Sequence, residues 1–351
     1  IGCFIFNGDV EFLLYFLLTG EFAALITRYA EKRKYVFPVA VCMAVINFVS
    51  MMAVGLFFEK GYSQGLLFSS AYGAAAGLIA VILAIGSLPF WEAIFEANTP
   101  LRLLELTNPN NELLRRLMIE APGTYHHSLI VANLAETAAY EIDANAALAR
   151  VGSYYHDIGK LKYPLYFSEN QAGENPHDQM EPHSSTQIIT AHTNAGVQMA
   201  KEKGLPKAVI NIIQEHHGNS LVKFFYYKAL KQYGCDNVKE EDYRYSGPIP
   251  QSRESAIVMI ADTVEAAVRS MLGQGKTLDE VEEFIKMLIK DKLDDGQLDR
   301  SGLAISDLES IRKSFIEVFK GMYHNRVVYP KKEEMDEAKK TKIPEEGDNK
   351  Q

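Results

Sequence analysis

The hydrophobic positions of this chain divide it into an apolar N-terminal part and a charged remainder. Val36 to Phe58 contains no Asp, Glu, Lys or Arg, and neither does Gly61 to Trp91. Each run is longer than the roughly 20 apolar residues that cross the core of a bilayer. A third stretch, Val10 to Thr27, is interrupted by Glu11 and Glu21, so it predicts either a spanning helix or a buried or interfacial one. The pattern predicts membrane helices followed by a globular domain.

From about residue 111 to residue 329 the apolar positions recur with a helical period. Ser252 to Met271 shows this best, because its large apolar residues fall on one helix face. These residues are Ile257, Ile260, Val264, Val268 and Met271. Asp143 is placed to cap a helix that stops at Gly159, and Ser306 with Glu309 forms a capping-box pattern. The other predicted helices cover His127–Glu141, Ser184–Lys203, Pro206–Gly218, Leu278–Leu293 and Ser306–Tyr323. Neither strand-like alternation nor an internal repeat is present, so the predicted fold class is all-α.

These patterns predict four segments. Residues 1–93 form transmembrane helices, the end of a larger membrane region, and residues 94–112 connect them to a globular helical domain at 113–330. Residues 331–351 are charged and almost free of large apolar side chains, which is typical of a disordered tail. The first residue is Ile and not Met, so we expect the sequence to be an excerpt of a longer protein.

Charge sets the expected orientation and excludes one class of partner. A basic loop of Arg28, Lys32, Arg33 and Lys34 separates the first two apolar runs, which places that loop in the cytoplasm and, two crossings later, the globular domain also. Cys3, Cys42 and Cys235 lack disulfide or metal spacing, in agreement with a reducing compartment. The formal net charge of −9 argues against a nucleic acid polymer as partner. The expected protein is a multi-pass protein of the cell membrane.

Five of the nine histidines occur in a pattern typical of a metal centre. His156-Asp157 and His216-His217 each lie at a predicted helix end, just before a glycine, where the backbone is free to aim adjacent side chains at one cavity. His127, His192 and Asp262 come from other helices, and a carboxylate such as that of Asp157 can bridge two cations. His126 is an alternative ligand to His127. The remaining histidines, which we interpret as loop or structural residues, are His177, His183 and His324.

The motifs around these residues resemble the HD superfamily of metal-dependent phosphohydrolases, and in particular the seven-transmembrane HD proteins of bacteria. The similarity covers essentially the whole chain. It is carried by Ala121–Ser128 (APGTYHHS), Tyr155–Lys160 (YHDIGK), Glu169–Gln171 (ENQ), Asn175–Asp178 (NPHD), Gln214–Gly218 (QEHHG), Ala261–Ala266 (ADTVEA) and His324–Pro330 (HNRVVYP). The Gly-Tyr-Pro motif of the branch that cleaves cyclic di-GMP is absent after His217.

The resemblance implies a cyclic dinucleotide phosphodiesterase that hydrolyses cyclic di-AMP to linear pApA. It implies one divalent metal ion on His127, His156, Asp157 and Asp262, and a second on His192, His216 and His217, with Asp157 bridging. Imidazole and carboxylate ligands favour Fe or Mn, and five histidines disfavour an all-oxygen magnesium site. It also implies further spans and an extracellular domain upstream, and a homodimer is one assembly that we expect.

The sequence leaves several questions open. Lys160 either contacts the scissile phosphate or helps to protonate the leaving oxygen, but it could equally be a C-terminal lysine favoured by the helix dipole. The metal ligands do not distinguish cyclic di-AMP from cyclic di-GMP or an alarmone, nor do they exclude a receptor that binds nucleotide without turnover. No residue is assigned to the bases. The loop Tyr163 to Pro182 is a candidate lid.

Overall fold

The computed structural model describes residues 10–27, 35–59, 61–95, 98–273 and 276–322. The basic loop at 28–34, Cys3, His324 and the predicted tail at 331–351 lie outside these ranges. Within them the chain is helical and its single β-type contact is an isolated bridge between Leu221 and Arg244, which confirms the all-α class. The helices are α1 (Val10–Thr27), α2 (Val36–Glu59), α3 (Gln64–Phe95), α4 (Pro100–Leu106), α5 (Glu112–Glu120), α6 (Pro122–Glu141), α7 (Ala146–Tyr155), α8 (Pro182–Glu202), α9 (Lys207–Glu215), α10 (Lys223–Tyr233), α11 (Arg253–Gly273), α12 (Leu278–Asp294) and α13 (Ile305–Met322).

The chain forms two compact units that alternate along the sequence. The first contains the described residues up to 125 together with 154–214, and the second contains 126–153 together with the described residues from 215 onward. The predicted metal ligands are therefore divided between the units: His156, Asp157 and His192 belong to the first, and His127, His216, His217 and Asp262 belong to the second.

Two helices of the first unit are long and apolar enough to cross a membrane, at Val36–Phe58 and Gln64–Glu92. α2 packs against both α1 and α3, and the Asn47 side chain lies where they meet. Its amide donates to the Met43 carbonyl oxygen (2.7 Å), and its oxygen accepts from the Tyr15 hydroxyl. A Cβ atom at Gly77 would lie 2.8 Å from the Asn47 amide nitrogen, so the small residue permits the close approach, as is common between membrane helices.

Short 3₁₀ turns fill much of the first unit between α7 and α8. The first of them, Ile158–Lys162, packs against α8 and α5. Its Leu161 joins a buried cluster with Leu117 and Ala121, to which Tyr125 and Met199 add partly buried contacts. This packing holds the segment that follows α7 in one place against the helices on either side.

α11 is the central helix of the second unit. The apolar face predicted from its period is buried as expected at Ile257, Val264 and Val268, whereas Met271 is partly exposed. All six residues at 256–261 are at most 1% exposed, so the helix is covered on every side there. α11 packs against α12, and α12 packs against α13.

Two predicted helix caps are wrong, each because a neighbouring residue makes the bond. Asp143 adopts a left-handed backbone (φ 53°) in the reversal after α6, and it is the Asn145 side chain that accepts from the Leu148 N–H (3.0 Å). At α13 the Asp307 carboxylate accepts from the Ala304 N–H (2.9 Å). Neither residue of the predicted capping box has the predicted role. Ser306 lies inside the helix, and Glu309 forms an ion pair with Arg312 (2.7 Å).

Candidate metal centre

In the first unit, a buried carboxylate faces two imidazole rings. The Asp157 Oδ2 atom lies 3.2 Å from His156 Nε2, and its Oδ1 atom lies 3.3 Å from His192 Nε2. All three residues are at most 3% exposed. His156 and Asp157 leave the end of α7, as the glycine that follows them predicted, and His192 projects from the middle of α8. The structure therefore brings together the three predicted ligands that this unit contains.

The backbone fixes where these three side chains sit. Tyr155 is buried just before His156, and its hydroxyl donates to the Leu106 carbonyl oxygen (2.8 Å). Gly159 packs directly on α8: a Cβ atom there would lie 1.8 Å from the His192 carbonyl oxygen and 2.5 Å from the Gly196 nitrogen. Only a glycine permits so close an approach of the turn to the helix. This contact holds the turn that follows Asp157 against the helix that carries His192.

The tautomer of His192 is set by a backbone bond. Its Nδ1 atom lies 2.6 Å from the Ile189 carbonyl oxygen, which accepts only, so the neutral ring carries its proton on Nδ1. In the neutral ring the Nε2 lone pair is directed toward Asp157 Oδ1, 3.3 Å away, and this tautomer is the one that metal-binding histidines adopt.

Lys160 is held between two carboxylates in the same unit. Its Nζ atom lies 2.8 Å from Asp157 Oδ2 and 2.7 Å from Glu169 Oε1. Burial opposes the charge of Lys160, but these carboxylates raise its pKa above the ordinary value, so it stays an ammonium ion. Burial likewise opposes ionisation of Asp157, and the charges of His156 and Lys160 outweigh it and hold the carboxyl pKa well below its usual range. Lys160 is thus a fixed positive charge and a poor acid.

Glu169 and its neighbour attach the loop after Lys160 to the start of α6. The Glu169 carboxylate accepts from the Thr124 hydroxyl (3.0 Å), and the Asn170 side chain accepts from the Thr124 N–H (3.1 Å). A Cβ atom at Gly123 would lie 1.9 Å from the Glu169 carbonyl oxygen, so this contact also depends on a glycine. These bonds bring together in space two stretches that were singled out in the sequence, 121–128 and 169–171.

In the second unit, His127 lies between two carboxylates of α11. Its Nε2 atom is 2.9 Å from Asp262 Oδ1, and its Nδ1 atom is 2.5 Å from Glu265 Oε2. Asp262 and Glu265 are three residues apart and so share a helix face. Arg269, one turn further, lies 3.4 Å from the other oxygen of Glu265. In a neutral His127 whose Nδ1 proton is directed at Glu265, the Nε2 lone pair is left for a metal ion, as in the neutral ring of His192.

Glu265 is a member of the site that sequence reasoning did not assign. The residue lies in the stretch Ala261–Ala266 singled out in the sequence, but 138 residues separate it from His127, and no spacing rule connects them. His126, the alternative ligand, is exposed, while His127 is 3% exposed. His177 and His183 bond elsewhere, to the Tyr166 carbonyl oxygen and to Gln187.

The paired histidines leave the end of α9 together. Their ring centroids are 4.2 Å apart, and each offers a nitrogen within 4.8 Å of the other's. α9 ends at Glu215, and Gly218 takes a left-handed backbone (φ 53°), so His216 and His217 lie in a turn where adjacent side chains can converge. His217 Nδ1 lies 3.6 Å from Asp262 Oδ2, and its ring stacks on Tyr245. Each unit thus holds a set of imidazole and carboxylate donors suited to a divalent metal.

Comparisons with known proteins find two matching families and several relatives. The family described as "HD domain" matches residues 124–267, and the family described as "7TM receptor with intracellular HD hydrolase" matches residues 1–99. The cyclic-di-AMP phosphodiesterases PgpH of Bacillus subtilis (strain 168) and of Listeria monocytogenes serotype 1/2a (strain 10403S) are each 42% identical over 90% of this chain. The chain spans 44% of the length of each of these relatives.

A solved structure of part of one such relative is also similar. The crystal structure of the L. monocytogenes phosphodiesterase PgpH HD domain in complex with cyclic-di-AMP is 48% identical, with a TM-score of 0.59. The match covers 62% of this chain and the whole of that chain.

Proposed function

We propose, since this chain belongs to the seven-transmembrane HD family of phosphohydrolases, that it is a membrane-anchored phosphodiesterase that hydrolyses cyclic di-AMP to linear pApA. The observation that carries the proposal is that each unit brings buried carboxylate and imidazole groups close together, with Asp157 Oδ1 3.3 Å from His192 Nε2 and Asp262 Oδ1 2.9 Å from His127 Nε2. Among the possible substrates, cyclic di-AMP is favoured because it is bound in the crystal structure of the similar HD domain.

The proposed centre contains two divalent metal ions, with Fe or Mn preferred by the mixed ligand set. His127, His156, Asp157 and Asp262 would hold one ion. The other would be held by His192, His216 and His217, and Asp157 would bridge the two. When bound, such ions supply charge neutralisation at the phosphate and an activated water.

The residues of the chain supply the rest of the reaction. Hydrolysis forms a bond between the water oxygen and phosphorus and breaks the bond to the ribose 3′-oxygen, which departs with a proton. Lys160 would hold a phosphate oxygen, because its ammonium is fixed at the edge of the ligand set by Asp157 and Glu169. The other role predicted for Lys160, help in protonating the leaving oxygen, stays a prediction.

The same proposal places the enzyme in the cell membrane with its HD domain in the cytoplasm. The two helices able to span a bilayer support a multi-pass protein, and the basic loop between the first two apolar runs supports the orientation. Labelling of an introduced cysteine at position 62, between α2 and α3, by an impermeant reagent on intact cells would test it. Labelling only after permeabilisation would contradict the proposed orientation.

The proposed activity is tested on the whole chain in lipid nanodiscs, supplied with Mn²⁺ or Fe²⁺ and a panel of cyclic dinucleotides. We expect cyclic di-AMP to give pApA, and Asp157→Ala to lose both the activity and the bound metal measured by mass spectrometry. Asp236→Ala is the matched control, since Asp236 is exposed on a different turn. Rapid hydrolysis of cyclic di-GMP and not of cyclic di-AMP would contradict the proposed substrate. Binding of cyclic di-AMP without turnover under either metal would favour a receptor.

A further inference from the structure

A pocket of the second unit lies beside its metal-ligand residues. It has a volume of about 590 Å³ and is lined in part by Ser220, Thr263, Leu288 and Lys292. Thr263 follows Asp262 directly on α11, and Ser220 comes three residues after His217. Volumes of this size hold small-molecule ligands the size of a nucleotide. No metal ligand lines the pocket, so it is separate from the centre described above.

Each basic residue that lines this pocket is paired with a carboxylate, except Lys292. Lys223 lies 3.2 Å from Asp291, and Arg244 pairs with Glu240 (2.7 Å) and with Asp295. Among the described residues no carboxylate lies within 4.0 Å of the Lys292 ammonium, which donates instead to the Ser220 hydroxyl (2.8 Å).

The ammonium of Lys292 is partly buried and, in the described part of the chain, has no carboxylate partner. Burial lowers its pKa, and the more distant carboxylates of Asp262 and Asp295 only partly offset this effect. A partly buried ammonium is stabilised by an anion or by several acceptors around it. The Ser220 hydroxyl accepts from Lys292, so its own proton is available to a ligand in the same pocket. A lysine ammonium beside a serine hydroxyl matches the donors that a phosphate requires.

We infer that Lys292 and Ser220 form a subsite for the second phosphate of the dinucleotide, the one that is not being cleaved. This inference rests on the proposed function, because a cyclic dinucleotide carries two phosphates and only one can be at the metal centre during a turnover. The same subsite would hold the internal phosphodiester of the linear product. A substrate with a single phosphate would not use it.

The test compares substrates with one and two phosphates on the whole chain in nanodiscs with Mn²⁺. For Lys292→Met we expect the KM for cyclic di-AMP to rise by about 10-fold to 100-fold, the range for a lost charged hydrogen bond, while kcat changes little. Turnover of bis(p-nitrophenyl) phosphate should stay within about 2-fold of the unsubstituted protein. Lys290→Met is the matched control, because Lys290 is an exposed lysine two positions before Lys292 on the same helix.

Product inhibition separates this inference from the proposed function. With bis(p-nitrophenyl) phosphate as substrate, pApA should inhibit more strongly than adenosine 5′-monophosphate, and Lys292→Met should abolish the difference. That result would support the subsite even if cyclic di-AMP were not hydrolysed. Hydrolysis of cyclic di-AMP with an unchanged KM in Lys292→Met would overturn the subsite and leave the proposed function standing.

A second variant, Ser220→Ala, tests the same subsite without replacing the lysine, in case Lys292→Met disturbs the fold. It removes the hydroxyl that Lys292 contacts and leaves the backbone intact, so we expect a smaller rise in the KM for cyclic di-AMP, about 2-fold to 10-fold. Equal losses on the one-phosphate and two-phosphate substrates in both variants would mean that the residues support the fold alone, and would refute the inference.

Discussion

Replacing Gly159 by alanine tests how the Asp157–His192 contact is built. The new Cβ atom would lie 1.8 Å from the His192 carbonyl oxygen, whereas real Cβ contacts are not shorter than 3.0 Å and ordinary ones begin at 3.4 Å. The turn and α8 must therefore separate by at least 1.2 Å, and by 1.6 Å to reach ordinary contact. Both obstructing groups, the His192 carbonyl and the Gly196 N–H, are backbone and cannot rotate away.

The magnitude follows from that displacement. Overpacking of this kind costs about 1–3 kcal/mol, and more where the backbone has to move. For a domain of this size, each kcal/mol lowers the melting temperature by about 2–4 °C. His192 now faces Asp157 at 3.3 Å, so a shift of more than 1 Å would also disrupt the proposed metal site. A misplacement of about 1 Å in a catalytic group lowers the rate by roughly 100-fold.

Gly173→Ala provides the control, since a Cβ atom at Gly173 meets nothing within 4 Å. Both variants are melted in nanodiscs by differential scanning fluorimetry, with metal content and kcat measured on the same samples. We expect Gly159→Ala to melt lower, retain less metal and lose activity, and Gly173→Ala to match the unsubstituted protein. Equal melting temperatures and metal contents in the two variants would refute the argument that the glycine contact sets the ligand geometry.

Two further predictions concern the carboxylates around the ligands. Glu265→Gln should weaken metal binding by about 10-fold to 100-fold in a chelator competition, because an amide does not orient the His127 ring as a carboxylate does. Unchanged affinity would mean that the 2.5 Å contact between Glu265 and His127 has no effect on metal binding. Burial opposes ionisation of Glu169, but the charge of Lys160 outweighs burial and lowers the pKa of this carboxyl below 4.5. The stability that ionised Glu169 contributes is therefore present above about pH 4.5 and is lost as the pH falls through the lowered pKa. Chemical denaturation between pH 3 and 7 should show a smaller acid loss in Glu169→Gln, and identical pH profiles would count against the ion pair.

The sequence predicted the class of fold and most helices because burial follows the helical period. Ile257, Val264 and Val268 recur with that period and are all buried on α11. The caps were predicted less well, since several polar residues near a helix start compete for the same N–H groups. Which one succeeds depends on the backbone before it, as the left-handed Asp143 illustrates.

The candidate site was predictable only as far as residue types carry chemistry. Histidine and aspartate pairs at helix ends indicated ligands, and the structure places them within each unit where those patterns suggested. The partner of His127 could not be predicted, because Glu265 is distant in sequence and becomes a neighbour only through packing. The pocket around Lys292 could not be predicted for the same reason. A lysine near the end of a helix is common, and only the folded structure shows which residues surround it.

The amide of Asn47 has a consequence for biogenesis. A polar side chain in lipid that lacks its partner costs roughly 0.6–2 kcal/mol, so α2 would be better accommodated beside its neighbours than alone. Tyr15, which donates to the amide oxygen, is synthesised first, and Gly77, against which the amide packs, is synthesised last. In the proposed membrane protein, these contacts of the amide would therefore favour α1, α2 and α3 staying together after synthesis, so that helices made one after another also become neighbours.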